Sequence, residues 1–199
     1  MRNAVSAFAV VVVLAASTPS IQGGGPLPYG LVVTVDWGPQ TGPESLRQEL
    51  ESELIRALVA ATCFRSVGAE RSEETENDAD LRLRLQIDGY LEETEFEYAL
   101  SQSGAPGLDT DRLTVAHAEA TLLAEVIDLR QGVVVRSRRF RKRASWRPTW
   151  HEDPREYAQR QLVEDVVQTT RKLVCQGSAT KWSKQIDRAR HSDDDDTQR

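Results

Sequence analysis

Leu81, Leu83, Leu85 and Ile87 alternate with Arg82, Arg84, Gln86 and Asp88. Strict period two places the four apolar side chains on one face of an extended strand and the polar ones on the other. A chain with such a segment requires a sheet with one buried face and further elements to bury it. Gly89 marks a bulge or bend, after which the strand is expected to run through Tyr90 to Tyr98 with Glu92, Glu93, Glu95 and Glu97 along it.

Two amphipathic helices are available as the cover. Leu46, Leu50, Leu54 and Leu58 recur every four residues, joined by Ile55, Val59 and Thr62, with Arg47, Glu49, Glu51 and Arg56 mainly off the stripe. Thr41 and Glu44 have the spacing of a capping box, and this helix is expected to end near Cys63. The stripe reads as core rather than as a partner-binding face. Asp153, Pro154 and Glu156 open the second helix, with Asp as cap and Pro at the first helical position. Ala158, Leu162, Val166, Val167, Leu173 and Val174 trace its apolar face down to Cys175-Gln176-Gly177.

The remaining strands are shorter or less regular. Leu31 to Val35 is a buried strand between Gly30 and Gly38-Pro39, and residues 65 to 70 form a short second strand at best. Arg71 to Asp80 is a polar, acidic linker, and Ser101 to Arg112 a loop. Leu113 to Leu129 reads as a long strand whose alternation shifts near Leu122-Leu123, with an alanine-rich helix as the competing reading. Arg130-Gln131-Gly132 turns the chain into Val133-Val134-Val135 and a basic stretch from Arg136 to Arg143, a hairpin signal. The expectation is α+β, β-α-β-β-β-β-α, a mostly antiparallel sheet of four or five strands covered on one face by two helices.

At the N-terminus, Met1-Arg2-Asn3 precedes an apolar run from Ala4 to Ala16 broken only by Ser6, then Ser17-Thr18-Pro19-Ser20. That is the pattern of a secretory signal peptide, too short to span a bilayer. The expected organisation is a signal peptide at 1–17, a flexible leader at 18–29, one domain at 30–176 and a disordered charged tail at 177–199. The mature protein is expected to be periplasmic or secreted, with no transmembrane span. Export permits disulfides, and Cys63 and Cys175 each end a helix, which makes them a candidate pair.

The layout resembles a group of bacterial envelope proteins. The residues that carry the likeness are the strand Leu31 to Val35 leading into a helix, the segment Asn77-Asp78-Ala79-Asp80-Leu81-Arg82-Leu83, the hairpin Val126-Ile127-Asp128-Leu129-Arg130-Gln131-Gly132, and a closing helix from Tyr157 to Val174. The group includes the lipopolysaccharide-assembly lipoprotein, the auxiliary lipoproteins of envelope ABC transporters, and the N-terminal domains of the Tol-associated propeller protein. The resemblance spans Leu31 to Cys175 and implies a periplasmic, non-catalytic adaptor. Many of those proteins carry a lipidated Cys directly after the signal, and here Ser17-Thr18-Pro19-Ser20 stands at that place.

The candidate binding residues are Arg136, Arg138, Arg139, Arg141, Lys142 and Arg143, which surround Phe140, together with Trp146 and Trp150. Arg forks match phosphate and carboxylate geometry, and Trp suits a headgroup boundary or a sugar face. The surface would take an anionic lipid, a glycolipid or an acidic envelope protein. The plain alternative pairs the basic run with Glu92 to Glu97 across neighbouring strands. A net charge of -6 argues against a nucleic-acid partner. His117 and His151 lack the companions of a zinc site, and neither a Gly-x-Ser-x-Gly elbow nor a phosphate loop occurs. No metal, cofactor or catalytic residue is expected. An exported hydrolase using Cys63 or His117, and a purely structural secreted domain, are the competing readings.

Overall fold

The structure is a computed structural model that describes residues 26–69, 79–98, 112–146 and 153–196. The signal segment, the linker after β2, the loop before β4 and Trp150 lie outside the described residues. The elements are β1 (Leu27–Trp37), α1 (Glu44–Ala61), β2 (Phe64–Ala69), β3 (Leu81–Tyr98), β4 (Arg112–Asp128), β5 (Val133–Trp146), α2 (Pro154–Cys175) and α3 (Ala179–Asp196). The five strands form one sheet in the order β2-β1-β3-β4-β5.

The α+β class and the helical cover match the sequence reading, but the sheet is mixed. β1 runs parallel to both β2 and β3, whereas β3-β4 and β4-β5 are antiparallel. α1 accounts for the parallel β1–β2 pair, since a helical crossover returns the chain in its starting direction. β2 is short but real.

The alternating residues of β3 fix the buried face. Leu31, Val33 and Val35 of β1 pair with Leu81, Leu83 and Leu85, which pair in turn with Asp128, Val126 and Ala124 of β4. Their apolar side chains join Leu46, Leu50, Leu54 and Leu58 of α1 and Leu162, Val163 and Val166 of α2 in one core. β4 carries Ala116, Ala118, Ala120 and Ala124 on this buried face, small residues that let α2 lie close above them. The alanines therefore serve a strand, not a helix. The expected phase shift at Leu122-Leu123 is not in β4, which keeps its alternation from Ala116 to Asp128. The extra residue is Asp88 of β3, where the register passes from Ile87 to Gly89.

The helix starts divide. Asp153 accepts a hydrogen bond from the Arg155 amide, with Pro154 at the first position, as expected. α1 has Pro43 at its cap with no side-chain bond, so the expected Thr41–Glu44 box does not form. Glu44 instead holds Arg47, which is buried and donates to the Val35 carbonyl at 3.1 Å.

Both cysteines are joined in a disulfide that closes 112 residues of sequence and ties the end of α1 to the end of α2. A link of that span contributes about 4–5 kcal/mol in the chain-entropy model, and often less.

The domain limits need two corrections. β1 begins at Leu27, inside the expected leader, and the expected disordered tail contains α3. Trp182 is wholly buried, with its ring 6.2 Å from Phe64 of β2, and Ile186 is buried beside it. Two large side chains one turn apart suffice to dock an otherwise polar helix. Replacing Trp182 with Ala should cost about 3–5 kcal/mol and lower the Tm by roughly 6–20 °C. A thermal melt of the variant checks this, and an unchanged Tm would mean that α3 is not docked.

Candidate functional site

The basic stretch falls on β5, an outer strand of the sheet, and the pleat divides it between two faces. Arg136, Arg138, Phe140 and Lys142 pair with Val126, Ala124, Leu122 and Ala120, and so share the helix-covered face. Arg139, Arg141 and Arg143 point to the other face, which no described helix covers.

Arg136 is not available to a ligand. Its guanidinium donates to the Leu173 carbonyl at 2.8 Å, the Gln176 carbonyl at 3.0 Å and the Gln185 side chain at 2.8 Å. It also lies 3.8 Å from the centre of the Trp182 ring. The carbonyls at a helix C-terminus lack intrahelical partners and carry partial negative charge, so a guanidinium there meets both needs. Burial draws the Arg136 pKa below the usual guanidinium value, and the group stays charged. Trp146 is likewise internal, stacked on Tyr157 of α2 at 4.9 Å and packed against the core.

On the open face, Arg139 meets Asp88 at 2.9 Å and Arg141 meets Glu119 at 2.6 Å. These guanidiniums are about two-thirds exposed, and each such pair is worth only about 0.2–1 kcal/mol. Among the described side chains the partners are thus Asp88 and Glu119, not the expected Glu92, Glu93 and Glu95. Glu92 instead accepts from Tyr90 at 3.0 Å and sits 3.8 Å from Arg155, while Glu95 lies 3.6 Å from His117. Burial first, and the Glu92 bond second, push the Tyr90 phenol well above its ordinary pKa.

Arg138, Lys142 and Arg143 remain. Among the described residues their side chains have no hydrogen-bond or ion-pair partner, although their backbones join the ladder to β4. They stand on both faces of β5 beyond its paired arginines.

A shallow depression of about 140 Å³ lies on the open face, lined by Leu91, Glu93, His117, Glu119, Arg141 and Arg143. At its rim His117 Nδ1 is 2.7 Å from the Ser145 hydroxyl. Ser145, His117 and Glu95 thus form a row across three strands. The backbone of β4 on either side of His117 is held in the ladders to β3 and β5. Cys63 has no free thiol. No group of three metal-ligating side chains occurs among the described residues. No helix among them is long and apolar enough to cross a membrane.

Asp80 and Asp128, both within the resemblance motifs, have structural roles that spacing alone did not show. The Asp80 amide donates to the Gly30 carbonyl at 3.0 Å, and its carboxylate accepts from the Gly30 amide at 3.0 Å. Its carbonyl accepts from Leu129 at 3.0 Å, so one residue ties β1 and β3 to the turn after β4. Asp128 accepts from the Arg130 amide at 3.1 Å within that turn and from Arg190 of α3 at 2.6 Å. Gly132 closes the turn at φ +73°, a backbone conformation glycine adopts without strain.

No family model matches the chain, and no curated protein matches it. Among solved structures it is similar to the minor lipoprotein of Acinetobacter baumannii, at 15% identity over 74% of this chain and 93% of that one, with a TM-score of 0.41. It is also similar to a homolog of the neuraminyllactose-binding hemagglutinin from Helicobacter pylori, at 15% identity over 84% and 97%, TM-score 0.45. Lipoprotein B of Nitrosomonas europaea shows 16% identity over 79% and 90%, TM-score 0.41. Some of the structures similar to this chain are therefore bacterial lipoproteins. Identities and scores this low carry no argument about what the chain does.

Arg136→Ala should destabilise the fold by about 1–3 kcal/mol, because it strands the last carbonyls of α2. Arg138→Ala should change stability by no more than about 0.5 kcal/mol. Urea unfolding of the two variants separates a structural arginine from a surface one, and equal losses would contradict the assignment.

Proposed function

We propose that this chain is an exported, non-catalytic adaptor of a bacterial envelope whose outer strand β5 binds an acidic partner protein. The observation that carries the reading is the set Arg138, Lys142 and Arg143, cations without partners among the described residues, on an edge strand. Guanidinium and ammonium groups so placed are ready donors for carboxylates. The apolar run at the N-terminus and the disulfide support export, since disulfides persist in oxidising compartments. The ladder-bound amides around His117 and the bonded cysteines support a role without catalysis.

Magnitude decides between lipid and protein. A basic residue near an anionic leaflet is worth about 1 kcal/mol, so three give about 3 kcal/mol, short of the roughly 4 kcal/mol of a millimolar complex. A protein partner adds buried area and backbone hydrogen bonds to the same charges. The test is binding of the full exported chain to polyglutamate and to phosphatidylglycerol vesicles at low and moderate salt. The reading predicts salt-sensitive binding to polyglutamate, at least tenfold weaker in the Arg138→Ser/Lys142→Ser/Arg143→Ser variant. Absent binding, or binding that ignores the substitutions, would overturn it. Tighter binding to the vesicles than to polyglutamate would overturn the choice of a protein partner.

A further inference from the structure

β5 is 14 residues long and, among the described residues, pairs on one side only, with β4. An outer strand of an antiparallel ladder turns alternate N–H and C=O groups away from the sheet. Such a row is a template for another strand, and chains leave it open at the risk of pairing with their own copies. Here the risk is countered by charge. Two β5 strands side by side would place Arg and Lys against Arg and Lys, and like charges directly opposite are destabilising. The same charges favour an opposite strand.

We infer that β5 accepts an extended acidic segment of its partner as an added strand of the sheet. The inference rests on the reading of β5 as a binding surface and specifies how that surface is used. Register sets the pattern of the segment. Arg138, Phe140 and Lys142 share the helix-covered face, and a strand laid against them faces them with alternate residues. The matching segment carries a carboxylate, an apolar side chain and a carboxylate at alternate positions, Glu-x-Val-x-Glu in its simplest form. The apolar member adds to the half-buried Phe140, which already packs against the core. On the other face, Arg143 takes an acid at one further position, while Arg139 and Arg141 already have Asp88 and Glu119. Main-chain hydrogen bonds supply affinity in this mode and the side-chain pattern supplies choice.

The experiment uses the full exported chain and a synthetic peptide built on that pattern, beside the same peptide N-methylated at alternate backbone nitrogens. Methylation removes the donors of one edge and keeps every charge. The inference predicts that the parent peptide binds, that the methylated form binds at least tenfold more weakly, and that the parent slows hydrogen exchange of the outward amides of β5. If both peptides bind equally, strand addition is wrong while the basic surface stands. If neither binds and polyglutamate also fails, the reading of β5 as a binding surface falls with it.

Discussion

The Arg136 guanidinium lies where the outer strand, the end of α2 and the face of α3 meet. It bonds the last carbonyls of α2, reaches Gln185 and covers the Trp182 ring. Trp182 carries the connection on to Phe64 at the opposite edge of the sheet. Nearby, the disulfide fixes the ends of α1 and α2, and Asp128 receives Arg190 from α3. One end of the core is therefore closed by a few polar bonds and one aromatic side chain rather than by a long apolar helix. A polar helix with two buried side chains can close it because the charged groups around it find partners in the strands and in α2.

That junction determines what the basic strand can offer outside. Near its start β5 is committed inward through Arg136, and at its far end through Trp146 stacked on Tyr157. Between them, the pleat sends Arg139 and Arg141 to carboxylates of β3 and β4 on the open face. Arg138, Lys142 and Arg143 are what is left for a partner. The binding surface proposed for β5 is thus smaller than the run of charge from Arg136 to Arg143, and it draws as much on the edge of the strand as on the cations.

Much of the layout was legible in the chain because it rests on periodicity. The Leu81–Ile87 alternation fixed the buried face, the leucine stripe fixed α1, and Asp153-Pro154 marked the start of α2. The disulfide followed from two cysteines at helix ends. Strand order was not legible, because the direction of β2 and β3 relative to β1 depends on crossovers whose packing is not local. α3 was missed because Trp182 and Ile186 alone do not make a periodic stripe; their spacing of four residues was the available signal. In the site, the face of each cation could be read from parity. Arg136 could not be told from Arg138, since the difference lies in the carbonyls of Leu173 and Gln176, about forty residues away in sequence.

The central claim is that β5 combines an inward half, held by β4, with an outward half that is open. Residue-resolved hydrogen exchange of the full chain tests it directly. The account predicts protection that alternates with period two from Ser137 to Ser145, slow at amides bonded to β4 and fast at those facing out. Uniform slow exchange along β5 would show that another part of the chain already covers the edge, and would contradict the account.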